Sequence, residues 1–127
     1  MSTHNLADYL DHMLEAARQA CLYVEGLDKA DFLDDKRTQQ AVILNLVILG
    51  EAVTKLLSQH EPFTAHYPQV PWRSMKGMRN RLAHGYFDIN LEVVWDTVQT
   101  ALPSLVAQLP AIRVAALASD NHNGSTT

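Results

Sequence analysis

The chain has 127 residues, 47% of them hydrophobic, with only 5 Gly and 5 Pro, which is enough for one domain with a core and excludes a disordered chain. The single cysteine excludes an internal disulfide framework and a cysteine-rich zinc site. The formal net charge of −4 argues against a generally basic nucleic-acid-binding protein. We expect one folded domain over residues 1–118 and a disordered polar tail over residues 119–127.

Neither of two features that direct a chain to membranes is visible in the sequence. The longest apolar stretch, residues 41–49, is interrupted by Asn45 and is about half as long as a membrane-spanning helix needs. The first eight residues lack a basic region followed by an apolar run, so they do not resemble a signal peptide. We therefore expect a cytoplasmic protein without membrane contacts.

Hydrophobic periodicity predicts two helices in the first half of the chain. Apolar residues recur at three- and four-residue spacing over about residues 5–25, where Asn5 can cap the start and Gly26 the end. An acidic linker over residues 28–35 is expected next. The second helix, over about residues 36–59, is apolar nearly all round, so it must be covered on more than one side, by other helices or by another subunit.

The second half predicts a loop and two further helices. Residues 60–70 contain two prolines and indicate a loop. Pro71 suits the first position of a third helix, which Gly85 can end. Asn90 can cap a fourth helix, which Pro103 should kink or restart. The predicted fold class is all-α, a four- to five-helix up-and-down bundle.

Charge is distributed unevenly along the chain. Eight of the 14 acidic residues lie between Asp8 and Asp35, and none lies within residues 62–87. That second segment contains four cations, Arg73, Lys76, Arg79 and Arg81. A concentrated basic segment can attract a polyanion to an acidic protein. The alternative interpretation is an ordinary solvated helix face.

The end of the third helix carries an unusually polar set of side chains for a bundle helix. Asn80 and His84 are four residues apart and share a face, with Arg79 on its flank. An imidazole can take the proton of an RNA 2′-hydroxyl or donate one to the leaving oxygen. A guanidinium can stabilise charge on the phosphate, and an amide can orient the histidine or the substrate. The set predicts RNA cleavage with neither a metal ion nor a cofactor. A helix-capping histidine is the simpler alternative for His84.

The polar set contains one histidine, His84, so each chain supplies one acid–base group to the reaction. Cleavage by proton transfer profits from two such groups, an acid and a base. A twofold homodimer would bring two such sets together in a composite cleft. The sequence therefore predicts that the polar segment is half of a site and that the homodimer is part of the mechanism.

Other polar residues have weaker patterns. Glu51, within the apolar second helix, is either a buried polar group satisfied by a neighbour or a partner that orients an arginine of the third helix. We interpret Arg73 and Arg81 as RNA-phosphate or partner contacts, with solvated charges as the alternative. His60 and His66 lack companions at metal-ligand spacing, so no zinc site is expected there.

The segment from Pro71 to Tyr86 resembles a known family. Its pattern Arg79-x4-His84-x-Tyr86 resembles the Arg-x4-His-x-Tyr signature of HepT-like toxins in the HEPN superfamily. The surrounding residues, and the string Leu-Gly-Glu-Ala over residues 49–52 of the second helix, are also similar to that family. The resemblance extends over about residues 5–110.

This resemblance implies a bundle of HEPN type and a ribonuclease toxin of a HEPN/MNT toxin–antitoxin pair, active as a homodimer. Its antitoxin would be a minimal nucleotidyltransferase (MNT) that transfers AMP to the motif tyrosine, which corresponds to Tyr86. A nucleotide on Tyr86 would add negative charge and bulk where the RNA phosphate must lie. The alternative is a HEPN-type dimer that binds RNA or its partner without cutting.

Overall fold

The computed structural model describes the backbone of residues 5–125, and it describes side chains within residues 5–120 except that of Tyr86. The described residues form helices and no β-strand, which confirms the predicted all-α class. The α-helices are α1 (Leu6–Tyr23), α2 (Lys29–Leu33), α3 (Lys36–Gln59), α4 (Glu61–Thr64), α5 (Trp72–His84), α6 (Leu91–Asp96) and α7 (Leu102–Ser125). A 3₁₀ turn (Tyr86–Asp88) follows α5, and a π-helical segment (Thr97–Ala101) joins α6 to α7.

The central helix of the bundle is α3, which packs against α1 on one side and α5 on another, while α1 also packs against α7. Helix α1 runs antiparallel to both α3 and α7: the Tyr9 hydroxyl reaches Gln59 at the far end of α3, and the Ala7 amide reaches Asp120 at the far end of α7. The core between them contains fully buried side chains from several helices, including Leu10, Met13, Val53, Leu56 and Leu109. The prediction that α3 is covered on more than one side is confirmed.

Side-chain caps define the starts of the two longest N-terminal helices. The Asn5 side chain accepts a hydrogen bond from the Asp8 amide at 3.0 Å, which confirms the predicted cap of α1. Asp35 caps α3 by accepting from the amide and the hydroxyl of Thr38 at 3.1 and 2.6 Å. These hydrogen bonds to Thr38 lower the pKa of Asp35. Gly26 lies two residues beyond the Val24 cap of α1, in a turn with a φ of +81°.

Two segments predicted as linker and loop contain short helices instead. Within residues 28–35, Asp28 and Asp31 form a reciprocal cap around α2, and Phe32 is fully buried against Trp95 with ring centroids 5.4 Å apart. Within residues 60–70, α4 forms in the first turn after α3. Both corrections have the same cause, because tertiary burial stabilises a single turn that has no helical periodicity of its own.

The predicted interruption of the last helix is confirmed, one turn before Pro103. The Leu102 amide bonds to the Thr97 carbonyl, five residues back, so the helix widens just before the proline that cannot donate a bond. The helix then continues to Ser125, and Asp120 accepts a hydrogen bond from the Ala7 amide at 3.2 Å. The predicted domain boundary at residue 118 therefore falls within a helix, and residues 126–127 lie outside the description.

Two helical runs among the described residues, Lys36–Gln59 and Leu91–Asp120, are long and apolar enough to cross a membrane by length and composition alone. Both runs are longer than the nine-residue apolar stretch, residues 41–49, from which we expected a protein without membrane contacts. Core helices of helical bundles also meet this criterion. In this fold both runs contribute residues to the common core.

Candidate active site

The Arg79 guanidinium is held by acceptors from two helices. Its Nη2 donates to Oε2 of Glu51 on α3 at 2.5 Å, and its Nη1 donates to Oδ1 of Asn80 on α5 at 2.8 Å. The Arg79 side chain is 24% exposed and that of Glu51 49% exposed. The pair that the sequence left open for Glu51 is therefore present, and the arginine that it contacts is the one in the Arg-x4-His pattern.

A glycine explains why Glu51 can reach Arg79. A Cβ at Gly50 would lie 2.1 Å from the Arg79 Cβ and 3.1 Å from the Met75 carbonyl oxygen, so only glycine permits this approach of α3 to α5. Glu51, the next residue, is thereby brought beside the guanidinium. Sequence reasoning did not assign a role to Gly50, although a glycine inside an apolar helix does indicate close packing.

The Arg79 Nε is buried and makes no hydrogen bond with the described residues. A guanidinium has five N–H donors. Glu51 and Asn80 take one each and Nε faces the protein, so one N–H on each Nη group is left for an anion. Paired N–H donors of this kind suit a phosphate, which they can bind in a bidentate manner.

His84 is the last residue of α5 and its side chain is exposed. The helix ends there because the Gly85 amide bonds to the Arg81 carbonyl at 2.7 Å, and a Cβ at Gly85 would lie only 2.8 Å from that oxygen. Gly85 therefore caps α5, as predicted. Asn80 is also exposed, and its carbonyl oxygen contacts Arg79 rather than His84.

The other predicted site residues are less closely associated with this set. Arg81 is exposed, and its Nη1 lies over Gly77 on the same helix. Arg73 is also exposed and lines an open cavity of about 360 Å³ beside Glu61. It precedes Arg79 by six residues, which is about 9 Å along the helix axis. We call Arg79 with its partners Glu51 and Asn80 the Arg79 cluster, and the structure does not bring Arg73 into contact with it.

Tyr86 begins the 3₁₀ turn that follows α5, two residues after His84. Its side chain lies outside the described residues, so its role as the AMP acceptor stays a prediction. Among the side chains that are described, no group of three or more His, Cys, Asp or Glu is arranged to hold a metal ion.

An apolar surface adjoins the Arg79 cluster. Leu44 and Ile48 are 58% and 41% exposed, and with Glu51 they lie along one side of α3 at four- and three-residue spacing. We call these three residues the outer face of α3. Large apolar side chains exposed in a row on a core helix are typical of an interaction surface.

Comparisons with known proteins identify the family to which the chain is similar. A family model described as Ribonuclease HepT-like matches residues 13–112. A protein of Methanocaldococcus jannaschii named as an RNase is 37% identical over 112 residues, which cover 88% of this chain and 90% of the relative. A protein of Thermococcus cleftensis named as a ribonuclease HepT is 38% identical over 106 residues, 84% of this chain and 94% of the relative. No solved structure shows significant similarity.

Proposed function

The chain belongs to the HepT-like ribonuclease family, and we propose that it is the RNase toxin of a toxin–antitoxin pair, cleaving RNA without a metal ion. The observation that supports this is the Arg79 cluster. Arg79 is fixed by Glu51 and Asn80 with two N–H groups left for a phosphate, and an exposed His84 lies on the same helix.

In the proposed reaction the RNA supplies its own nucleophile. His84 of one protomer takes the proton of the 2′-hydroxyl as the 2′-oxygen forms a bond to phosphorus. The bond from phosphorus to the 5′-oxygen breaks, and a protonated His84 of a second protomer donates its proton to that oxygen. Arg79 stabilises the negative charge that develops on the phosphate. The products are a 2′,3′-cyclic phosphate and a 5′-hydroxyl.

The second protomer would bind on the outer face of α3. The exposed Leu44 and Ile48 are continuous with Glu51, which contacts Arg79, so a copy seated there would cover the apolar residues at the edge of the Arg79 cluster. A twofold contact of this kind is self-complementary and brings two clusters close together.

The proposed partner is a minimal nucleotidyltransferase antitoxin that transfers AMP to Tyr86. Tyr86 follows His84 by two residues, so a nucleotide attached there would add negative charge close to the catalytic groups and compete with the RNA phosphate. After coexpression with the partner, intact-mass analysis should show added AMP on the wild type and none on Tyr86→Phe. An AMP unit that maps to another residue contradicts the assignment of Tyr86.

Cleavage is tested by incubating the purified protein with RNA in EDTA. The wild type should give fragments with 2′,3′-cyclic phosphate ends, and His84→Ala should be at least about 100-fold slower, since general acid–base catalysis contributes about 10²–10⁴. His66→Ala, which removes an exposed histidine from the loop before α5, serves as the matched control and should cleave normally.

Two results would contradict the enzyme proposal. A wild type that binds RNA but leaves it intact would favour the non-catalytic HEPN-type dimer. Cleavage that stops in EDTA and returns with added divalent cation would exclude the metal-free mechanism. Toxicity is tested separately by expressing the wild type and His84→Ala without the partner, and only the wild type should arrest growth.

A further inference from the structure

The solvent-exposed side of α5 carries a row of polar side chains that leads to the candidate active site. With 3.6 residues per turn, Arg73 and Asn80 both lie within about 40° of His84 around the helix axis, and Arg81 lies about 60° to one side. All four side chains are exposed. We call these four residues the outer face of α5.

This face is long enough to contact more than one phosphate of an RNA strand. Arg73 lies in the first turn of α5 and precedes His84 by eleven positions, which is about 16 Å along the helix axis. Between them, the Asn80 carbonyl oxygen accepts from Arg79, so the Asn80 NH₂ group is left to donate to a ligand. A single phosphate beside His84 would leave Arg73 without a partner, whereas further phosphates along the same strand can reach it.

The fold does not neutralise the two arginines of the outer face of α5. Neither Arg73 nor Arg81 forms an ion pair within the part of the chain that the structure describes. By contrast, Lys29, Arg79 and Arg113 each pair with a carboxylate. No acidic residue occurs within residues 62–87. The outer face of α5 is therefore a positive strip on a chain whose net charge is −4.

Arg73 occupies a position that is unfavourable for the helix itself. The first turn of a helix favours acidic residues and disfavours cations, and α5 has no acidic residue there. Lys76 follows Arg73 by three positions, a spacing at which like charges destabilise a helix. Glu61 lines the same open cavity as Arg73, yet these two described side chains form no ion pair. A residue that breaks local rules without a compensating contact is typical of a functional position.

We propose that the outer face of α5 binds the phosphate backbone of single-stranded RNA, with Arg73 contacting a phosphate that is not cleaved. This inference rests on the proposed function, because it extends the substrate-binding surface of the same site. The strand lies along α5 with its scissile phosphate beside Arg79 and His84. A single strand is favoured over a duplex because the attacking 2′-oxygen must lie in line with the departing 5′-oxygen, which paired A-form RNA does not allow. Phosphate contacts position the strand and do not read its sequence.

The first test measures RNA binding in a His84→Ala background, so that the RNA stays intact. Fluorescence anisotropy with a labelled single-stranded oligoribonucleotide gives the Kd at several salt concentrations. Each phosphate contact to a single strand contributes about 0.7 to the slope of log affinity against log salt concentration. Arg73→Ala should bind more weakly and lower this slope by about 0.7, and Arg73→Ala combined with Arg81→Ala should lower it by about 1.4.

Arg18→Ala is the matched control for these variants. It removes an exposed arginine from α1, which packs on another side of α3 than α5 does, so the slope should stay that of the parent. An unchanged slope in Arg73→Ala would overturn the proposal. An equal loss in Arg18→Ala would also overturn it, because binding would then depend on net charge and not on the outer face of α5.

The second test compares substrates of different length in the protein that retains His84. A dinucleotide has one phosphate, which lies beside His84 and about 16 Å along α5 from Arg73. Arg73→Ala should therefore cleave the dinucleotide as fast as the wild type does, but should have a higher KM for a long single strand with little change in kcat. Equal losses of rate on both substrates would contradict the proposal, because Arg73 would then act on the scissile phosphate or on the fold.

Failure of this inference and failure of the proposed cleavage give different results. A wild type that cleaves RNA while Arg73→Ala keeps the parental slope and KM would contradict only the role of the outer face of α5. RNA binding that depends on Arg73, in a protein whose wild type leaves RNA intact, would contradict only the proposed cleavage. If Arg73→Ala lost binding of the nucleotidyltransferase partner and kept RNA binding, this face would be a protein contact and the proposal would be overturned.

Discussion

The Arg79 guanidinium donates one hydrogen bond to Asn80 of its own helix and one to Glu51 of the neighbouring helix, and its Nε is buried without a partner among the described residues. With side chains that are 24% and 49% exposed, the Arg79–Glu51 ion pair adds at most about 1 kcal/mol to stability. An unpaired buried donor costs about 1–3 kcal/mol. The hydrogen bonds of Arg79 therefore add little to the stability of the fold. Their main effect is to fix the direction of the two N–H groups of Arg79 that remain for an anion.

Glu51→Ala should lower the rate of RNA cleavage by about 10- to 100-fold, because small displacements of a positioned group can reduce rates by that much. Glu51→Gln keeps an oxygen that can accept from Nη2, so it should retain more activity than the alanine variant. The measurement is kcat and KM for a fixed RNA, alongside the melting temperature. A positioning role predicts a fall in kcat with a small change in stability.

Lys55→Ala is the control for Glu51, since it lies four residues further along α3 and is also exposed. Faster cleavage by Glu51→Ala would show instead that the carboxylate restrains Arg79 and competes with the RNA phosphate. Equal kcat in the wild type and both Glu51 variants would remove the positioning role altogether.

At the level of the helices, the contact between α3 and α5 depends on the absence of a Cβ at Gly50. Gly50→Ala would place a Cβ 2.1 Å from the Arg79 Cβ, so the helices must separate. Overpacking of this kind costs about 1–3 kcal/mol, and the displaced Arg79 should reduce cleavage as well. The measurement is the free energy of unfolding in urea.

Gly77→Ala, a substitution within α5, is expected to have the opposite effect on the stability of the protein. Its Cβ would meet only the end of the flexible Arg81 side chain at 3.4 Å. Replacing a glycine inside a helix by alanine should stabilise the protein by about 0.5–1 kcal/mol. If both glycine variants were equally destabilised, the close approach at Gly50 would not be what distinguishes them.

Asp35 gives α3 a pH-dependent start. Its pKa is lowered because the ionised carboxylate accepts hydrogen bonds from Thr38. A group whose pKa is lower in the folded state stabilises the fold above its unfolded pKa, and that stabilisation is lost as the pH falls through the folded pKa. The wild type should melt higher than Asp35→Asn at neutral pH, and the difference should shrink below about pH 3.8. A difference that grows on acidification would contradict this account.

The long helices follow from the sequence because their signals are local. The bounds predicted for the second helix, residues 36–59, are those of α3, and Asn5 and Gly85 act at the ends for which they were predicted. The short helix α2 was not predictable in this way, because the contact of Phe32 with Trp95 joins residues distant in the chain. Hydrophobic periodicity in the sequence shows which face of a long helix can be buried. The stability of a single helical turn depends instead on the residues, distant in the chain, that pack against it.

At the level of the whole molecule, the Arg-x4-His pattern predicted which residues form the candidate site but left their partners open. Glu51 pairs with Arg79 although 28 positions separate them, and no local pattern selects Arg79 over Arg73 or Arg81. That choice depends on the packing of α3 on α5 and on the space at Gly50. The composition of the site was therefore predictable, whereas its geometry required the fold.

The outer face of α3 remains uncovered in the single chain, and the proposed mechanism needs a second copy there. Leu44→Glu combined with Ile48→Glu would place two like charges against their symmetry mates in a twofold contact, which is strongly unfavourable. Light scattering should show a dimer for the wild type and a monomer for this double variant, with the helical circular dichroism unchanged. RNA cleavage should fall at least about 100-fold, since each cluster would lose the second acid–base group.

Val114→Glu introduces a charge on an exposed apolar residue of α7 and should leave both mass and activity unchanged. Because Leu44 and Ile48 do not touch the reacting atoms in the proposed reaction, lost cleavage in a folded monomer would show that the two clusters act together. Full activity in a monomeric double variant would instead mean that one His84 serves in turn as base and acid. The proposed dimer would then be unnecessary for the chemistry, and the outer face of α3 would have to bind another partner.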